Sequence, residues 1–209
     1  METNNVRKLP PFRIASALLL AASLAGGALL ARWAPAFAQT TPPSIDPQYD
    51  SHGALIRPRN FESWVFVGGS IGLTYEPGVR SSGPGDFHDV YIRPASYREY
   101  ARTGKFPDKT MLVLALYPPE EKVSPAKGGY FEGDLNGLAV AVKDREHFPH
   151  GWAYFNFSDG GRIKDVATAN PEPACYSCHK QHAADDNVFV QFYPVLRAIA
   201  DTHRHMSRQ

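Results

Sequence analysis

Apolar positions along this chain recur with two periods, and the periods predict two kinds of element. Thr110 to Tyr117 is apolar almost throughout and predicts a buried strand, on which Leu112, Leu114 and Leu116 alternate onto one side. Leu138 to Val142 predicts a second strand, and Trp152 to Phe157, dense in aromatic β-formers, a third. Asp89 to Ile92 predicts a short one, and Phe61 to Val67 reads as a helix end or a strand closed by Gly68 and Gly69. Helical spacing of Tyr97, Tyr100 and Ala101 predicts a helix over Pro94 to Thr103, stopped by Gly104 as its C-cap. A last apolar stripe, Phe189, Phe192, Leu196, Ile199 and Ala200, predicts a C-terminal core helix. Asp186 is placed to cap it, and Pro194 either splits it or marks a first turn. Gly78 to Gly85, Phe106 to Lys109, Glu120 to Gly129 and Ser158 to Gly161 read as loops and turns. The expected fold is mainly β, of the α+β class: three to five antiparallel strands with two or three flanking helices and a C-terminal segment that carries the chemistry.

The N-terminus follows a different pattern. Arg7, Lys8 and Arg13 precede an apolar run from Ile14 to Leu30, and Ala36-Phe37-Ala38 supplies small residues for cleavage. This layout predicts a signal peptide over residues 1–38, an irregular lead-in over 39–60 and one domain over 61–209, exported to the periplasm. An uncleaved anchor is the competing reading, since the run approaches the roughly 18 residues that span a bilayer. A formal net charge of +1 without a basic stripe excludes an electrostatic footprint for nucleic acid.

Only two cysteines occur, and both lie in Cys175-Tyr176-Ser177-Cys178-His179. Cys-x-x-Cys-His is the attachment signature of c-type haem. Each thiol adds to one vinyl group on the same porphyrin edge, and the following imidazole then reaches the iron. Tyr176 and Ser177 act as spacers. A structural disulfide would close a very small loop and constrain little. A thioredoxin-like pair would open a helix near the N-terminus, and a zinc site needs two further ligands, for which His182 is the one nearby histidine. One motif predicts one covalent haem c, with Cys175 and Cys178 as attachment points and His179 as the metal ligand. The sixth position stays open at this point. Met111, Met206 or one of His52, His88, His147, His150, His182, His203 and His205 would give an electron carrier, whereas an open position gives a gas-binding or catalytic haem. Strand alternation puts Met111 opposite Leu114.

A strand-rich domain with its haem motif near the C-terminus resembles the cytochrome P-460 family, including the cytochromes c′-β. The likeness spans about Phe61 to Ala200. It is carried by Asp89 to Tyr97, Thr103 to Asp108, Gly129 to Asp134, Ala141 to Asp144, Gly151 to Phe155, the Cys175–His179 motif and Val188 to Arg197, in that order. The resemblance implies an antiparallel β fold, usually a homodimer, with His179 as proximal ligand. In hydroxylamine-oxidising members a lysine cross-links to the porphyrin and a distal carboxylate accepts protons. Those positions fall here on Leu114 and Ala139, which can do neither. Lys105 and Lys109 fall on the turn, as solvated charges. The resemblance therefore implies the cytochrome c′-β arrangement, a five-coordinate iron under an apolar cap of Leu114, Phe66, Phe131 and Ala139. Its partner would be a small gaseous ligand such as nitric oxide. A redox partner protein and an oxidase of hydroxylamine or nitric oxide are the alternatives.

Overall fold

The computed structural model describes residues 46–74, 83–121, 125 and 127–207; the expected signal peptide and residues 78–82 of the Gly78–Gly85 loop lie outside them. Among the described residues, eleven strands and three helices follow in chain order: β1 (Leu55–Ile56), β2 (Val65–Ile71), β3 (Phe87–Ile92), α1 (Pro94–Thr103), β4 (Met111–Tyr117), β5 (Pro119–Glu121), β6 (Tyr130–Glu132), β7 (Gly137–Lys143), β8 (Trp152–Asn156), β9 (Ser158–Asp159), β10 (Arg162–Ile163), β11 (Val166–Ala167), α2 (Tyr176–His182) and α3 (Pro194–Met206). Five of the strands make one antiparallel sheet in the order β2-β3-β4-β7-β8. The mainly β, α+β expectation is met.

The central strand explains the layering. Aliphatic side chains on both of its faces need cover on both sides. Met111, Val113 and Ala115 join Leu138, Val140, Val142 and Phe155 in one cluster, closed by Phe61, Trp64 and Leu55. Leu112 and, at its edge, Leu114 face a second cluster with Val67, Val90, Ile92 and Tyr154, covered by Tyr176 of α2 and by Leu196 and Ala200 of α3. Met111 therefore lies on the face opposite Leu114. The lead-in is part of this body over its described residues: Leu55 is fully buried, and β1 pairs with β11.

Three local expectations change. Gly68 and Gly69 do not end the second strand; β2 runs through them with a bulge between Phe66 and Gly68. At Gly68 the backbone packs against the start of α3, where a Cβ would meet Pro194 Cδ at 3.0 Å. Tyr130–Glu132 returns on Pro119–Glu121 as a separate two-stranded hairpin, so the Glu120 to Gly129 segment is strand at its first residues. The C-terminal stripe is broken, because α3 begins at Pro194 and Val190–Phe192 form only a short 3-10 turn. Proline suits a first helical turn, where its missing N–H has no helical partner to lose.

The Gly104 cap is as expected. Its φ is 68°, its N–H donates to the Tyr100 carbonyl at 2.8 Å, and a Cβ there would lie 2.7 Å from Cγ of His203 on α3. Gly104→Ala is thus expected to cost about 1–2 kcal/mol from the left-handed backbone alone. Thermal unfolding should show this as a fall of roughly 2–8 °C; an unchanged midpoint would contradict the tight α1–α3 seam.

Candidate haem site

Pro171 to Ala174 form a turn that delivers Cys175 to the start of α2. From there the helix repeat puts Cys175, Cys178 and His179 on one side, since positions three and four apart are neighbours. His179 N–H donates to the Cys175 carbonyl at 3.1 Å, which locks that spacing. The two thiols are not bridged; Cys178 is exposed and Cys175 is half-buried, with the Asn170 side-chain amide donating to its Sγ at 3.3 Å. Tyr176 is more than a spacer. It is buried beneath α2 and stacks on His150 at 4.9 Å, so it anchors the motif to the body.

His179 is flanked by the rings of Tyr154, at 4.1 Å, and Phe189, at 4.5 Å. Its Nδ1 lies 2.9 Å from the Asn187 carbonyl oxygen. A carbonyl can only accept, so Nδ1 carries the proton and Nε2 keeps its lone pair. Burial lowers the imidazole pKa and outweighs the opposing effect of that hydrogen bond, so the ring is neutral near pH 7. A neutral imidazole with Nδ1–H fixed by an acceptor is the form that ligates a metal.

A cavity of about 220 Å³ lies beside this ring. Its lining includes His179, Cys175, Phe189 and Tyr193, together with Leu112, Leu114, Ala139 and Ala141. The last four come from two adjacent cross-strand pairs, Leu112 with Ala141 and Leu114 with Ala139. Positions identified separately as those of a lysine and a carboxylate thus sit side by side, both as hydrocarbon. Neither a methionine nor a second histidine is among the described lining residues. Met111 is buried on the other face and Met206 is exposed at the end of α3.

Phe66 and Phe131 need correction. Val65 and Val67 face the cavity-side cluster, so Phe66 between them turns to the opposite face, where it meets Tyr91 edge-on and is 48% exposed. Phe131 pairs with Glu120 on the outlying hairpin and is 45% exposed. Neither lines the cavity. Lys109 is likewise more than a solvated charge: its ammonium is 2.6 Å from the fully buried Asp144 and 3.1 Å from Glu146.

Sequence reasoning missed Asn170, Tyr154, Asn187 and Tyr193, which line the cavity. The one local signal was the pair Asp186-Asn187, two residue types that tolerate left-handed backbone, and both do adopt it, with φ of 42° and 60°. Asp186 does not cap α3. It accepts from Lys143 Nζ at 2.6 Å and from Trp152 Nε1 at 3.1 Å.

Paired free thiols, a neutral imidazole with an open Nε2 and an aromatic-lined apolar cavity fit a haem. No curated protein matches the chain. The sequence model of the cytochrome P460 family, however, matches residues 58–190, from the end of the lead-in through the motif to Val190, and the chain belongs to this family of haem-binding cytochromes.

Proposed function

We propose that this chain is a periplasmic, mono-haem c-type cytochrome that binds nitric oxide or a similar small uncharged gas. Cys175 and Cys178 would hold the haem covalently, and His179 would supply the proximal nitrogen. When bound, the haem would supply an iron able to take up such a gas. The observation that carries the reading is the wall of Leu112, Leu114, Ala139 and Ala141 beside His179. It offers no amine for a porphyrin cross-link and no carboxylate to take a proton. An uncharged diatomic loses little on entering such a wall, whereas an anion would lose its hydration without repayment in hydrogen bonds.

The lysines support this. Lys109 is engaged by Asp144 and Glu146, and Lys143 by Asp186 and the Phe106 carbonyl. Export rests on the N-terminal pattern; among the described residues no helix is long and apolar enough to cross a membrane. Homodimerisation rests on family resemblance, and a redox partner protein would serve to return the iron to the ferrous state.

Absorption spectra of the purified protein test the reading. The ferrous form is expected to be five-coordinate and high-spin and to take up nitric oxide. A six-coordinate, low-spin ferrous spectrum at neutral pH, without added ligand, would overturn it.

A further inference from the structure

Two consecutive non-glycine residues with left-handed backbone are unusual, and Asp186 and Asn187 follow the haem motif by only a few residues. Their conformation has a visible product. It directs the Asn187 carbonyl at two donors at once, His179 Nδ1–H at 2.9 Å and the Tyr154 hydroxyl at 3.1 Å. Three contacts from the body hold the turn there. Tyr100 OH donates to Asp185 at 2.7 Å, and Lys143 and Trp152 donate to the two oxygens of Asp186. Lys143 is one of the few buried charged groups, only 4% exposed, and its ammonium is spent on this turn and on the Phe106 carbonyl. Isolated burial of a cation is costly. Attaching a haem does not require it.

We propose that Lys143, Asp186 and Tyr154 are positioning residues that set how strongly His179 donates to iron. This rests on the reading of His179 as the iron ligand. A proximal imidazole donates more strongly the more its Nδ1 proton is drawn towards an acceptor. Lys143 and Asp186 fix the acceptor, the Asn187 carbonyl, in place. Tyr154 moderates it, because a carbonyl oxygen shared between two donors gives less to each. The Tyr154 hydroxyl lies 3.1 Å from a carbonyl oxygen, which can only accept, so it is a donor there. The two halves of the device act in opposite directions.

Opposite signs make the test decisive. Tyr154→Phe keeps the ring beside His179 and removes only the competing donor. Asp186→Asn keeps a residue that tolerates left-handed backbone and removes the charge together with one of the two acceptor oxygens. Resonance Raman spectra of the ferrous holoprotein would follow the iron–histidine stretch, with the midpoint potential measured in parallel. Tyr154→Phe is expected to raise the stretch and lower the potential. Asp186→Asn is expected to lower the stretch and raise the potential. Each change should be on the order of tenfold in the ferric-to-ferrous ratio, which is about 59 mV for a one-electron couple.

A purely structural clamp would lower the unfolding temperature and leave the stretch unchanged, and that result overturns the proposal. Shifts of the same sign in both variants overturn it as well. Should Asp186→Asn fail to fold, Tyr154→Phe alone decides, since an unmoved stretch there is already fatal. A wild-type protein with no iron–histidine band would remove the His179 reading itself, an outcome distinct from variants that fail to shift an existing band.

Discussion

Replacing both Cys175 and Cys178 by alanine is expected to abolish haem retention under denaturing conditions. Wild type should carry the mass of one haem on the intact polypeptide and keep its haem stain through a denaturing gel. The double variant should show neither. The effect is all-or-none because thioether bonds survive denaturation and coordination through His179 does not. The two sulfurs differ in setting: Cys175 lines the cavity under the Asn170 amide, whereas Cys178 is exposed on α2. Cys178→Ala alone should therefore leave the fold of the motif intact while removing one attachment. Wild-type polypeptide at its bare mass, with haem extracted by denaturant, would rule out covalent attachment.

Asp144→Ala is expected to cost about 3 kcal/mol, the lower end for breaking a buried ion pair. Asp144 follows Lys143 at the end of β7 and is fully buried. It accepts from Lys109 at 2.6 Å, from Tyr49 at 3.1 Å and from His147 Nδ1–H at 2.9 Å, and it also caps the backbone N–H of Glu146. One carboxylate thus ties together the lead-in, the start of β4 and the β7–β8 turn. Lys109 and His147 retain some access to water, which is why the lower end applies. The midpoint of thermal unfolding should fall by roughly 6–12 °C.

The same network fixes a pH dependence. Burial pushes the Asp144 carboxyl up, but the bonds from Lys109, His147 and Tyr49 outweigh it and hold its pKa below the ordinary 3.8. A depressed carboxylate stabilises the fold fully above its unfolded value and loses that contribution as pH falls through its folded value. The gap in unfolding temperature between wild type and Asp144→Ala should therefore be constant above about pH 5 and close below about pH 4. An equal gap at pH 3 and pH 7 would show that packing, and not charge, accounts for the loss.

Local chemistry made some of this legible in advance. Seven nearly uninterrupted apolar residues at Met111–Tyr117 announced a strand buried on both sides, and alternation separated Leu114 from Met111 correctly. Gly104 could be read as a cap because left-handed backbone favours glycine so strongly. Other features misled for physical reasons. Paired glycines usually break a strand, yet at Gly68 the missing side chain admits Pro194, a residue over a hundred positions away. The family resemblance puts Phe66 in the cap, but the pleat turns it to the other face. Asp186 has the composition of a helix cap, but Lys143 and Trp152 draw it into the proximal turn.

What the sequence alone determined is what short-range geometry dictates: the spacing of two thiols and an imidazole, the period of each apolar run and the side chain at each position. Those suffice for the haem motif, the fold class and the hydrocarbon character of Leu114 and Ala139. Only the tertiary structure decided that these two residues are cross-strand partners in one cavity with His179, and that the Asn187 carbonyl holds the imidazole. The reason is that Leu114 and Ala139 meet only across a strand pair, and that the turn joining His179 to Asn187 is held by Lys143 and Trp152 from other strands. Such pairings depend on which elements pack together, and burial selects that arrangement from the whole chain at once.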